Sequence, residues 1–546
     1  MQHAAHAHLE TRRGRLGGAL LLALLPACGG GDGGGGPQSS SGGSAPAFSS
    51  VPAVQVSQAS SYAADCGGSG QTGTLYPNTA LEPSLVVNPT NSANLVAEWQ
   101  QDRWSTGGSQ ALNLAASFDA GQTWTLSSAA FSLCSGGSAA AGSDFARASN
   151  GWLTAAPNGV VYALSLSFTG TALAPGSSSA QLVASSSDGG MTWGTPIALI
   201  TDGSDFFDDK GSITADPNDA NYVYAVWDRL GATRGPCYFA VTADAGSTWQ
   251  SAVSIYDPGE DNQTIGNQIV VLPGDVLLDV FTQLLGGASN NSSSAALLAV
   301  SSSDHGTTWS APLQIASLEA VITFDPLLNK QVRDAANLFS VAVSASGSIY
   351  IVWQDARFSG GQYNGIAMTQ SSDGGQSWST PVQVNADHAT PAFTPTVTVR
   401  ADGLIAITYY DLRNDVTPGA VLTDYWLVTS SDGSTFTEAH LSGPFNLELA
   451  PYAEGEGLFL GDYQSLHSSG AELLPIYAQT PDGASNAQES SNVFLASPPA
   501  ADLASAALAR TFRAAPARSL TLSAAARARL AASVRLTREQ RLQHAP

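Results

Sequence analysis

The sequence predicts an all-β fold, a β-propeller assembled from four-stranded blades, and two observations carry that expectation. The first is a short hairpin signature that keeps returning. It reads SFDAGQTW at 117–124, SSDGGMTW at 186–193, TADAGSTW at 242–249, SSDHGTTW at 302–309 and SSDGGQSW at 371–378, with a shortened SSDGSTF at 430–436. From Asp to Asp the gaps are 69, 56, 60, 69 and 59 residues. The second observation is the set of β-branched and aromatic runs around each copy, bounded by Gly, Pro, Asn and Asp. Before the first copy come 84–87, 94–99 and 111–117; before the third, 212–215, 222–227 and 238–242; before the fifth, 340–343, 349–353 and 365–369. A further run follows each copy, as at 381–385. Three strands, a hairpin and a fourth strand make one blade.

Each residue type in the hairpin has a physical task. Asp119 and its counterparts Asp188, Asp244, Asp304, Asp373 and Asp432 accept hydrogen bonds from backbone N–H groups inside the turn. Gly121 takes the positive φ of a tight turn, and the Ser or Thr hydroxyl holds the other side of the loop. Trp124 buries a large apolar surface against the blade. The pattern S/T-x-D-x-G-x-T/S-W resembles the Asp-box, or BNR repeat, of the sialidase superfamily of β-propellers, over residues 50–498. The resemblance implies that fold. It also implies that the hairpins are structural and lie away from any catalytic face.

First strands begin near Ser84, Trp152, Ser212, Gln268, Ser340, Thr396 and Tyr463, which predicts seven blades. The seventh unit, 461–498, has three strand-like runs and no hairpin. Its fourth strand is expected from 54–57, VQVS, which reads like VQVN at 382–385. Six blades plus an appended hairpin is the alternative, because the resembled sialidases have six.

The two ends differ from this body. Arg12, Arg13 and Arg15 precede an apolar run over 16–25 and then Pro26, Ala27 and Cys28, the pattern of a secretory signal over 1–28. The last residues resemble a lipoprotein lipobox, which implies lipidation at Cys28 and a bacterial envelope protein of the outer membrane or facing the periplasm. A plain secretory signal cut elsewhere is the alternative. Residues 29–50 are a Gly/Ser linker, 51–500 the propeller, and 501–546 an Ala-rich tail with eight of the 21 basic residues. Within the tail, 519–542 has helical propensity and carries Arg527, Arg529, Arg535, Arg538 and Arg541. It reads as a solvated helix or as a basic arm for anionic envelope surfaces.

Without the tails the body has ten Lys/Arg against about forty Asp/Glu. That balance argues against nucleic acid, which needs a basic footprint, and suits solubility or cation binding. Cys66 and Cys134 fall in adjacent connections and are expected to pair in an oxidising compartment, leaving Cys237 over. Asp202, Asp205, Asp208 and Asp209 form an acidic loop that offers oxygens to calcium or is simply solvated. No zinc spacing, nucleophile elbow, P-loop or dinucleotide fingerprint appears.

Loops between the second and third strands, and between blades, are expected on the face opposite the hairpins. That face carries Asp102 with Arg103, Asp228 with Arg229, Asp355 with Arg357 and Asp411 with Arg413. Around the channel mouth the first strands add Glu82, Trp152, Lys210, Gln268, Asp462 and Tyr463. The sialidase resemblance implies an arginine clamp for a substrate carboxylate, an acid/base carboxylate and a tyrosine nucleophile. The candidates for substrate binding are Arg103, Arg147, Lys210, Arg229, Arg357 and Arg413; those for catalysis are Asp462, Tyr463 and Glu82. The Phe/Tyr-Arg-Ile-Pro motif of many sialidases is absent, and the four repeated Asp/Arg pairs also read as structural bridges. A site should break the repeat's symmetry, as Asp462, Tyr463, Glu82, Arg147 and Lys210 do. Two functions follow for a monomer with a glycan or cell-surface ligand, touching membrane only through its lipid. One is a sialidase-like glycoside hydrolase; the other is a non-catalytic binding or scaffolding propeller.

Overall fold

A computed structural model describes residues 51–286, 293–416, 418–481, 490–498, 510–516 and 522–543. Residues 1–50, where a signal segment with Cys28 and a Gly/Ser linker are expected, lie outside the described residues. The described chain is built of four-stranded antiparallel meanders, with first strands Leu75–Val87, Arg147–Ala155, Phe206–Ala215, Asn262–Leu272, Phe339–Val343, Ala392–Val399 and Ser465–Ser469. In the last meander the order is Ser465–Ser469, Glu472–Gln479, Asn492–Ala496 and then Ala53–Gln55 from the other end of the chain. Ala53 stands opposite Ala496 and Gln55 opposite Phe494. The N-terminal strand thus covers an edge that would otherwise present unpaired backbone groups.

First strands pack side by side in chain order, and the last packs against the first. Short polar side chains stitch neighbours together. The Ser84 hydroxyl accepts from Leu153 N (3.0 Å) and the Thr154 hydroxyl from Ala215 N (2.9 Å). Ser212 donates to Asn267 O (2.8 Å), Gln268 to Phe339 O (2.9 Å), and the Ser340 hydroxyl accepts from Val397 N (3.1 Å). Where strands converge this closely, a side chain one or two bonds long can meet a neighbour's backbone. They enclose a channel of about 330 Å³ lined by Ser84, Trp152, Ser212, Gln268, Ser340, Thr396 and His467, among others. Between the sheets, Trp99, Trp227 and Trp353 occupy matching places on second strands and are fully buried.

The repeated hairpins share one bonding scheme. The Ser117 hydroxyl accepts from Gly121 N (2.8 Å) and donates to Asp119 (2.8 Å); Asp119 accepts from Thr123 N (2.9 Å) and the Thr123 hydroxyl (2.6 Å). The same bonds form around Asp188, Asp244, Asp304 and Asp373. Gly121 has φ +88°. Trp124 is only half-buried and donates back to Gly121 O (3.0 Å), so it closes its own loop more than it fills the core. In the shortened copy Asp432 accepts from Ser434 N (2.8 Å) and Thr435 N (2.7 Å), and Phe436 in the tryptophan's place is fully buried.

Three features fall outside the repeat. Two inter-sheet connections pair in parallel, Val332 opposite Leu458, in a small sheet of Thr323–Phe324, Gln331–Arg333, Gly457–Phe459 and Tyr452–Ala453. Cys66 and Cys134 form a disulfide with Cα atoms 4.9 Å apart, while Cys237 is a buried thiol 3.4 Å from the Asp279 carboxylate. In the tail, Arg510–Arg513 pairs with the outer strand Thr435–Asn446 and Ala515–Pro516 with Val382–Gln383. The helix Ala524–Gln543 follows; among the described residues no helix is long and apolar enough to cross a membrane.

Candidate active site at the channel mouth

Five first strands carry a register shift at the same level, each containing a residue in the left-handed region: Glu82 (φ +53°), Asn150 (+50°), Lys210 (+47°), Gly266 (+72°) and Thr394 (+49°). Only one of the five is glycine, so four side chains accept backbone strain. Such a bulge bends its strand and re-aims a side chain. Here it brings Glu82 and Lys210 to one spot beside Asp462. Gly461, just before Asp462, has φ +127°, and a Cβ there would stand 2.9 Å from Glu82 N. Glycine is what lets the two carboxylates approach: Asp462 N donates to Glu82 at 2.9 Å.

Asp462 is then surrounded by cations. Lys210 bonds it directly, and Arg333 forks onto both its oxygens at 3.0 and 2.5 Å. Arg333 also bonds Glu456, and it shares the Phe459 ring with Arg103, the guanidinium carbons 4.4 and 4.8 Å from the ring centre. Arg103 donates to Gln100 (2.7 Å), which in turn bonds Glu82. Three carboxylates thus face three cations in a nearly dry cluster. Burial pushes Glu82 above its ordinary value; Lys210 opposes that and Asp462 adds to it. Burial acts the same way on Asp462, but Arg333 and Lys210 outweigh it and hold this carboxyl far below the usual range. Burial and the neighbouring Arg333 bring Arg103 down to about 10.

Tyr463 turns into the channel, its ring 5.3 Å from that of Trp152 and its hydroxyl 3.4 Å from Gly151 O. Burial, then Glu82 and Asp462, raise its phenol well above the ordinary value. Behind this wall Glu98 is fully buried with neither carboxylate oxygen hydrogen-bonded, and burial raises it strongly.

Of the expected site residues, Glu82, Arg103, Lys210, Asp462 and Tyr463 come together. The others do not join the mouth. Arg357 is spent on Asp355 and Arg413 on Asp411 and Glu438, the self-paired arrangement. Arg229 bonds Asp202, at the end of the preceding outer strand, instead of Asp228. Arg147 caps Gly107 O (2.6 Å) and Thr72 O (2.9 Å), stacks on Trp104, and is brought down to about 9 by burial and Arg103. The acidic loop is divided: Asp202 serves Arg229, Asp208 accepts from Trp227 (2.9 Å), and Asp209 accepts from Asn150 (3.1 Å). Alternation along the strand sends these carboxylates to different partners, away from any common cation. Among the described residues no group of three His, Cys, Asp or Glu is placed to hold a metal ion.

Sequence reasoning missed Arg333, Glu456 and Phe459. Their only signal was position: they lie in the two long connections outside the repeat. It also missed Arg541, near the end of the helix, which bonds Asp209 (3.1 Å), Asp228 (3.0 Å) and Thr264 O (2.7 Å).

No family model matches the chain, and no curated protein does. Solved structures resemble it distantly. An alpha-L-arabinanase of Penicillium chrysogenum complexed with arabinobiose is 15% identical, with 66% of this chain and 94% of that one covered and a TM-score of 0.41. A Hadza microbial sialidase is 17% identical, with 61% and 63% covered and a TM-score of 0.41. A Trypanosoma rangeli sialidase in complex with the inhibitor DANA is 14% identical, with 80% and 70% covered and a TM-score of 0.39.

Proposed function

We infer that the chain is an exported, envelope-anchored, seven-bladed Asp-box propeller whose channel mouth acts on glycans as a glycoside hydrolase. The observation that carries the reading is the adjacent pair Glu82 and Asp462, driven in opposite directions by their surroundings. Glycosidic cleavage needs one carboxyl held protonated to donate to the leaving oxygen and one held ionised. Glu82 fits the acid and Asp462 the ionised partner. Trp152 and Tyr463 offer an aromatic wall for a sugar ring. The raised phenol argues against Tyr463 as nucleophile and for a platform role. The closed succession of first strands and the shared last sheet support the seven-blade reading over six blades plus a hairpin. Lipidation at Cys28 rests on the sequence pattern.

The test is hydrolysis of fluorogenic glycosides, one sialoside and a set of neutral ones, by the mature chain and by its Arg541→Ala form. Turnover abolished by Glu82→Gln and by Asp462→Asn, and retained in part by Tyr463→Phe, is the expected result. No turnover of any glycoside by folded protein in either form sinks the hydrolase. A second reading, a non-catalytic glycan-binding propeller, is favoured by the internal pairing of every mouth cation except Arg103, whose Nε is buried without a partner. Binding of neutral oligosaccharides lost in Trp152→Ala, without turnover, would select it.

A further inference from the structure

The helix Ala524–Gln543 lies across the mouth. Arg529 donates to Gly361 O (2.9 and 3.0 Å), Asn337 donates to the Thr537 hydroxyl (2.7 Å), and Gln540 donates to Gly455 O (3.1 Å). At its far end Arg541, 7% exposed, joins Asp209 to Asp228. Beneath it a cavity of about 90 Å³ separates Leu536, Thr537, Gln540 and Arg541 from Lys210, Arg333 and Asp462. Ala335, Leu338 and Asp462 line both this cavity and the channel, so the way from this side into the channel runs under the helix.

The seat is poorly made for a permanent part of the fold. Among the described side chains of the helix the fully buried apolar ones are two alanines and a valine, Ala526, Ala531 and Val534, while Leu530 and Leu536 are half-buried. Ser533 Oγ and Arg538 Nε on the helix, and Asn337 Oδ1 on the body, are buried without partners, each a standing cost to docking. The underfilled cavity forfeits further contact. What holds the helix is chiefly polar, and Arg541, bonded to two carboxylates, is the most strongly tied of these contacts. We propose that this helix is an autoinhibitory lid, latched by Arg541 on Asp209 and Asp228, which leaves the mouth to admit ligand. Asp228, lifted to about 7 by burial despite Arg541, is a costly anion to keep there without a cation, so the latch favours closure at rest.

The inference concerns access and stands whether or not the glycan reading does. Its test uses the mature chain carrying Ala335→Cys and follows the rate of maleimide labelling under the lid; Cys237 is buried, and the parent chain measures any background from it. Arg541→Ala is expected to raise the rate at least tenfold, with Arg541→Lys in between. Thr537→Val, which removes the contact with Asn337 and one bond back to Ser533 O inside the helix, is expected to raise it several-fold and covers the case in which Arg541→Ala destabilises the body. Equal rates in all four proteins, with unchanged melting, would overturn the lid. So would fast labelling in the parent Ala335→Cys chain.

Discussion

The repeated hairpins and the channel mouth both depend on carboxylates, and they use them in opposite ways. Asp119, Asp304 and Asp373 sit at the surface, where a Thr or Ser hydroxyl and backbone N–H groups hold them down to about 2. Each carboxylate is held by hydrogen bonds from within its own loop. At the mouth Glu82, Asp462 and Glu456 come from distant parts of the chain, the first two buried and the third partly so, and are balanced by Lys210, Arg333 and Arg103. The hairpin carboxylates are copies, so no one of them is essential. The mouth carboxylates have no copies. Charge that is cheap to hold at the rim is expensive to hold at the centre.

Breaking the mouth should cost most. Asp462→Ala leaves Lys210 and Arg333 facing a buried gap, and a loss of about 3–5 kcal/mol is expected in a denaturant titration. A loss below 1 kcal/mol would mean that water reaches the cluster and that the contrast with the rim is overstated. Glu98→Met should act in the other direction. It removes a buried carboxyl with no hydrogen-bond partner and keeps the length of the side chain, so a gain of about 1–3 kcal/mol at neutral pH is expected in the same titration.

The pH profile of stability should separate the two regions. The hairpin carboxylates have folded values below the ordinary 3.8, so their contribution is present above it and is lost as pH falls toward 2. Asp208, Asp228 and Asp411 are lifted to about 7 and Asp334 to about 6, in each case chiefly by burial. Their contribution is full below 3.8 and is lost as pH rises to 7. Urea midpoints measured from pH 3 to 8 should therefore peak near pH 4 to 5. Glu98→Met should lift only the neutral limb. A maximum at pH 7 or above would refute this assignment.

The smallest effect belongs to a single hairpin. Asp119→Ala should reduce stability by a fraction of the Asp462→Ala loss. It should add independently to Asp304→Ala, since the two loops share no partner. Strong coupling between the two would show that the rim is one cooperative belt.

How much of this was legible beforehand follows from where each interaction closes. The strand-and-hairpin unit, the left-handed glycine at Gly121, the turn bonds of Asp119 and the closing strand around Val54 are written in short stretches, because their bonds join residues a few positions apart or repeat a pattern seen elsewhere in the chain. The mouth residues Glu82, Lys210, Asp462 and Tyr463 were visible as departures from the repeat. Their mutual pairing was not, since it spans 252 residues between Lys210 and Asp462. Asp228 looks equivalent to Asp355 in sequence, yet Asp355 keeps its own arginine while Asp228 receives Arg541 from the tail. Arg333 and Arg541 lie outside the repeat, and no local pattern says which carboxylate they will meet. The chain by itself determined a ring of Asp-type hairpins on four-stranded units, because local hydrogen bonds and strand periodicity are properties of neighbours in sequence. Only the tertiary structure decided which charges share the dry centre and what lies across it, because Coulomb interactions at low dielectric depend on distance in space and on the exclusion of water.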